Sequence, residues 1–294
     1  MDAGLVGSGY ADHLTDADLG LLASVTQGVG GSGAASAAAW LRAHPEHLAG
    51  LIGDARVFRA VFGPEEQDAR AALASPFLIF AVAVHRAAAE LESMDHVPER
   101  SGPRGRVPLF DAPDLRDFLD SPARRLFLAE LLGSFTRAAG GQYRAMVGGR
   151  PRARRFSELD VARLASTLGT VAEADRPGVY RRLGDVALFL TGVFPDYAAA
   201  HALGPVSAGR LLRAAQVTPR QHEQLTAAPA IDLFEYLGAR WYRVAWSLAP
   251  ARTARLAVVA DVADRFRQAR RVLNHIADRC LFPAGSPWFA PPAA

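Results

Sequence analysis

The chain of 294 residues contains no lysine, and every one of its 33 basic residues is arginine. That absence excludes Schiff-base chemistry and the glycine-rich phosphate loop that depends on a lysine. A single cysteine, Cys280, excludes internal disulfides and cysteine-rich zinc sites. Long apolar runs are missing as well: the most apolar one, Phe77 to Val84, is well short of the ~20 residues that span a bilayer. The N-terminus lacks the basic start of a signal peptide, so the expectation is a cytoplasmic protein with no membrane partner. No familiar catalytic motif is present.

Half of the residues are apolar, ample for a sizeable core, and the length suggests two domains. The formal charge is +3 and the isoelectric point is near 9.4. With almost nothing to titrate between pH 7 and 9, a small positive excess persists until tyrosine ionises, so the high value is weak support for a polyanion partner. The distribution of charge says more. Residues 1–98 hold 5 Arg against 12 acids, a net of −7, and residues 99–155 hold 12 Arg against 6 acids, a net of +6. An acidic N-terminal third beside a basic middle can neutralise itself in cis, bind another copy, or meet separate partners. Arginine in place of every lysine, with alanine-rich helices, suggests a GC-rich bacterial genome.

Helical punctuation dominates the order of elements. Thr15 and Asp18 form a capping pair before Leu19–Val25, and the glycines at 28–33 then break the helical pattern. Helices are expected at 34–44, 46–52, 54–62 and 65–73. Ser75-Pro76 opens a long helix to Ser93, Ser121-Pro122 one to Ala139, and Thr218-Pro219 repeats the device. Ser157 and Asp160 have capping-box spacing before Val161–Leu168. Further helices are expected at 177–194, 207–216, 230–248 and 252–280. Residues 95–113, with four prolines, read as a surface loop, and Gly148-Gly149 reads as the turn of a hairpin between 142–147 and 150–156. The expected fold is an all-α, multi-helix bundle with one small β-hairpin. Its organisation would be an acidic helical subdomain over 1–73, a helical core over 74–282, and a proline-rich disordered tail over 283–294 in which Trp288-Phe289 could dock.

Two segments resemble a known group. Leu183-Gly184-Asp185, the small-apolar pair Val186-Ala187, Phe189, and Gly192 with Phe194 form one pattern. Tyr236, Gly238 and Tyr242 form a second, and Asp261–Leu273 a closing helix. These are similar to a family of uncharacterised, actinobacterial-type helical proteins over roughly 180–280, with an extension back to Ser75; residues 1–70 fall outside it. The resemblance implies a helical fold and no established activity.

Asp185 is the most informative acid, because its helix is apolar nearly all round from Leu183 to Phe194, and a helix apolar on every side is buried. A buried carboxylate must be paired, hydrogen-bonded or protonated. Arg240, flanked by Leu237, Trp241 and Val244, is its expected partner. Asp185, Arg240, Tyr236, Tyr242 and Glu130 would then line a ligand site, against the plainer reading of a structural ion pair. His85 interrupts an apolar helix, and His275 with Asp278 lies on the last one. No glutamate stands three before either histidine, so a bundle metal site is not expected, and neither is a cofactor. Cys280 reads as structural.

Arg144, Arg150, Arg152, Arg154 and Arg155 crowd the hairpin, and the even-numbered ones of its second arm share a face if that arm is a strand. Arginine forks suit phosphate, with Tyr143 and Phe156 available for stacking. A charged hairpin edge also serves simply to prevent aggregation. The leading expectation is a non-catalytic regulatory or interaction protein whose partner is another protein or itself, with room for a small-ligand pocket. A phosphate or nucleic-acid binder is the second expectation, and an enzyme built on buried Asp, Glu and Tyr the third.

Overall fold

The computed structural model describes residues 3–26, 34–63, 74–100, 106–136, 140–147, 150–157, 159–200, 205–215, 217–218, 225 and 228–282. The helix expected at 65–73, the glycine run at 28–33, the hairpin's Gly148-Gly149, Pro219 and the tail from 283 lie outside them. The fold is all-α with small β-hairpins. Backbone packing divides the chain into a first unit, Met1–Gly133 with Arg271–Ala294, and a second, Ser134–Arg270.

The first unit contains α1 (Ala3–His13), α2 (Asp16–Thr26), α3 (Ala34–Ala43), α4 (Leu48–Ile52), α5 (Ala55–Phe62), α6 (Pro76–Leu91), α7 (Ala112–Asp120) and α8 (Pro122–Ser134). Its starts are set by side-chain caps. The Thr15 hydroxyl accepts from the Asp18 amide while Asp18 accepts from the Thr15 amide, the reciprocal arrangement of a capping box. Asp54 caps α5 through the Arg56 amide, and Ser75 caps α6 through the Leu78 amide with Pro76 at the first turn. Asp18 is fully buried, and its second oxygen accepts from the Ser75 amide at 2.7 Å. One carboxylate therefore fixes the starts of both α2 and α6. Backbone packing places the division after Gly133, and the Asp18–Ser75 bond crosses the boundary expected at 73, joining α2 to α6.

Between α6 and α7 the stretch read as a loop contains an antiparallel ladder, β1 (Val97–Arg100) with β2 (Arg106–Leu109). Pro98 stands directly opposite Pro108. Neither has an amide proton to exchange, so the pair occupies the non-hydrogen-bonded position and both nitrogens face the outer edges, where proline is tolerated. Those prolines disguise the strands in the sequence and blunt their edges in the fold. Arg271, almost wholly buried, pairs with Asp111 and lies 3.5 Å from Glu99 of β1, holding this ladder in the first unit. Arg116 completes the region by donating to the carbonyls of Leu91 and Met94 at the end of α6.

The second unit contains the expected hairpin, β3 (Gly140–Val147) with β4 (Arg150–Ser157), then α9 (Val161–Ser166), α10 (Arg176–Val193), α11 (Pro195–Ala200), α12 (Pro205–Ala214), α13 (Ala230–Leu248) and α14 (Ala254–Asp264); α15 (Phe266–Ile276) crosses the division of the chain at Arg270. Asp160, and not Ser157, is the cap of α9, accepting from the Arg163 amide at 3.0 Å. Helix α8 stops at Ser134, short of the expected Ala139, and Phe135 stacks on Phe189 at 4.1 Å. The long closing helix expected over 252–280 is interrupted at Arg265 (φ −119°, ψ 30°), and ends in a π-turn at Ala277–Leu281. At the interruption Phe266 packs onto Gly238 of α13.

Replacing Asp18 with Ala strands the Ser75 and Thr15 amides, each at a cost of about 1–3 kcal/mol. Urea unfolding followed by circular dichroism should show a loss of roughly 2–5 kcal/mol; unchanged stability would contradict the role of this carboxylate.

Candidate functional site

Helices α10 and α13 pack through their glycines. A Cβ added to Gly184 would lie 2.4 Å from the Tyr242 ring, so the ring rests directly on the α10 backbone. A Cβ added to Gly238 would lie 2.2 Å from the Phe266 ring. In each case only glycine leaves room for the aromatic. Seated over Gly184, Tyr242 reaches the next residue: its hydroxyl donates to Asp185 Oδ1 at 2.8 Å. The Arg181 Nε, one turn back on α10, stands 4.0 Å from Oδ2. The Asp185 side chain is 13% exposed and Tyr242 fully buried. Burial, and then the Asp185 charge, push the phenol well above its ordinary value, so it remains a hydrogen-bond donor.

The expected partner of Asp185 is corrected by this geometry. Arg240 instead donates Nε to the Ala215 carbonyl at 3.2 Å. Two residues along a helix are about 200° apart, so Arg240 and Tyr242 serve different sides of α13. Tyr236 is half-buried and about 120° from Tyr242 around the same helix. Glu130 belongs to the first unit, where His13 Nε2 lies 3.1 Å from its carboxylate. Of the expected set, the geometry among the described residues joins Asp185 with Tyr242.

One residue that sequence reasoning passed over is Trp241. It is fully buried, and its indole N–H has no hydrogen-bond partner among the described residues. Nothing in the apolar pattern distinguishes it from an ordinary core tryptophan. On the other side of the same helix, buried Arg270 pairs with Glu235.

The two histidines of interest both have partners within the first unit. His85 Nε2 lies 3.0 Å from the Tyr10 hydroxyl. Burial pushes its imidazole down to about 3 and the Tyr10 phenol far upward, so both are neutral at physiological pH. His275 Nε2 lies 3.2 Å from Glu90, which also accepts from Arg86 Nε at 2.8 Å. These bonds, with the His275 bond the largest cause, hold Glu90 down at about 2. Glu90 was legible only as the i+4 mate of Arg86 on an otherwise apolar helix. Cys280 has its thiol pushed up to about 12 by burial, and is therefore a poor nucleophile. Among the described residues, no group of three His, Cys, Asp or Glu side chains is placed to hold a metal ion.

The arginine hairpin forms the ladder its glycine turn implies. Arg150, Arg152 and Arg154 stand opposite Val147, Ala145 and Tyr143, on one face by register. Arg144 stands opposite Ala153, which places it with Arg155 on the other face. Pro151, opposite Met146, occupies a position whose nitrogen faces the outer edge. Comparison with protein-family models, with curated proteins and with solved structures finds no match to this chain.

Gly184→Ala forces a methyl into the Tyr242 ring and should destabilise the second unit by about 1–3 kcal/mol, or more if the ring is expelled; thermal denaturation will report it, and a variant as stable as wild type would contradict the packing. A second prediction concerns acid. The unfolded chain protonates His85 below about pH 6.5, whereas the folded chain does so only near 3. The stability gained from neutral His85 is therefore complete above pH 6.5 and falls as the pH drops toward 3. Glu90 adds its own loss between its ordinary value of 4.5 and about 2. His85→Gln should flatten the pH dependence of stability between pH 6 and 4 by about one proton. An unchanged slope in urea titrations across that range would refute the assignment.

Proposed function

We propose that the protein acts without catalysis, as a regulatory or protein-interaction module. The observation that carries this reading is the contact of Tyr242 with Asp185 over Gly184, in which the most distinctive polar residues are engaged with each other as a clamp between helices. On the first unit, Phe110 is 78% exposed beside the His96 ring at 5.5 Å, and Val107 of β2 is exposed too. Exposed apolar surface of this kind is suited to contact with another protein. Native mass spectrometry of the protein purified from its host tests the reading. The expected result is a stoichiometric protein partner that is lost on Phe110→Ser. Retention of that partner by the variant would overturn the assignment of the surface, and a bound chromophore or measurable turnover would overturn the non-catalytic reading.

A second reading, binding of phosphate-rich polymers, is favoured by one observation: the register of β4 sets Arg150, Arg152 and Arg154 on one face of a regular strand. Arginine presents planar forks that match phosphate. Replacing all three with Gln should weaken polyanion binding and flatten its salt dependence by about one unit per lost contact. An unchanged slope would remove this reading.

A further inference from the structure

In the first unit the end of α6 meets the C-terminal π-turn around one carboxylate, and the cations there outnumber it. Glu90 Oε1 accepts from Arg86 Nε at 2.8 Å, and Oε2 lies 3.2 Å from His275 Nε2. Arg279 Nε stands 3.7 Å from the same Oε2, outside hydrogen-bond range. Glu90 is ionised, so its single negative charge faces two guanidiniums. One positive charge is left over.

Glu90 engages only a small part of each guanidinium. Arg86 meets it through Nε alone, and the Nη groups of Arg86 and Arg279 have no hydrogen-bond partner among the described residues. The Arg86 side chain is 38% exposed and that of Arg279 59%, so the forks open to solvent. Arg86 is also held in place from two sides. The carboxylate grips its Nε, and its Cζ lies 4.9 Å from the centre of the Phe58 ring on α5. Little rotamer freedom remains for it to lose on binding. Arg279 is set beside it by the π-turn, which the Phe282 amide closes onto the Ala277 carbonyl at 2.7 Å. Turns of this kind are rare and frequent at functional sites.

Both Nε atoms approach oxygens of one carboxylate, so they are at most about 9 Å apart. An oxyanion that accepts one hydrogen bond of about 2.8 Å from each fork, on separate oxygens, spans about 8 Å. Planar forks suit phosphate, and a dianion gains twice as much from the surplus charge as a monoanion does. We propose that Arg86 and Arg279 form a binding site for a small phosphate dianion, inorganic phosphate or a phosphomonoester, held beside Glu90. The site is independent of the arginine hairpin and of the Phe110 surface, and it gives the interaction module a small ligand.

Inorganic phosphate and phenyl phosphate are titrated separately into the full chain, labelled with nitrogen-15. The buffer is low in salt, free of other oxyanions and at about pH 8, where phosphate is a dianion. Arginine Nε–Hε signals are followed by NMR, those of Arg86 and Arg279 being assigned by substitution. Both signals should move saturably in wild type, and acetate should move them more weakly. Arg279→Gln, at an exposed position, should weaken binding at Arg86 about tenfold, the loss of one charge-assisted hydrogen bond. Arg279→Lys, which keeps the charge without the fork, should recover part of it. Changing Arg150, Arg152 and Arg154 to Gln should leave the response of both signals unaltered. Tighter binding of phenyl phosphate marks an ester as the ligand, and the reverse marks free phosphate. If phosphate leaves both signals in place in wild type, or binds Arg279→Gln as tightly, the site is refuted. If the hairpin substitutions abolish the response instead, phosphate belongs to the hairpin and this site is likewise refuted. A melting curve of Arg279→Gln that matches wild type excludes misfolding as the cause of its loss.

Discussion

The seating of Tyr242 over Gly184 is the constraint on which the second unit depends. Without a side chain at 184, the ring of one helix lies on the backbone of the other, and the phenol is carried to the carboxylate at the next position. Apolar burial alone would let α10 and α13 slide or rotate with little change in area removed from water. A directional bond from a buried hydroxyl to a carboxylate does not permit that, because a displaced pair would leave both groups unsatisfied. Gly238, one turn before Tyr242 on the same face of α13, repeats the device with Phe266, and the interruption at Arg265 places Phe266 where it can do so. Register between the helices is thus set by two ring-to-glycine contacts and one hydrogen bond.

The first unit is organised by buried polar groups of another kind. Asp18 gathers the starts of α2 and α6, Tyr10 and His85 join α1 to α6, and Arg271 meets Asp111 and Glu99 around the short ladder. Each of these groups would be expensive to bury alone, so each restricts the chain to arrangements in which its partner is present. The neutral Tyr10–His85 pair has a cost that grows in acid, whereas the Tyr242 phenol of the clamp keeps its proton.

Much of this was legible in the sequence, and what was missed has physical reasons. Caps were readable because Thr15 and Ser75 act on amides three residues away, a purely local geometry. The bounds of α13 were readable from its apolar period. The pairing of Asp185 was not: Arg240 and Tyr242 are both flanked by apolar residues, and only the rotation of α13 against α10 decides which of them faces the acid. The glycines at 184 and 238 stood out as part of a motif, but their role depends on rings 58 and 28 residues further on. Pro98 and Pro108 argued against strands, and only their placement opposite each other removes the conflict. Nothing local shows that the Ser75 amide meets Asp18, a hydrogen bond that spans the expected boundary at residue 73.

The most direct test of the clamp is a double-mutant cycle of Asp185→Ala and Tyr242→Phe, with unfolding free energies measured for wild type, both single variants and the pair. The account predicts a coupling energy of about 1.5–3 kcal/mol, that of a hydrogen bond to a charged group. Additive effects, with no coupling between the two positions, would contradict it.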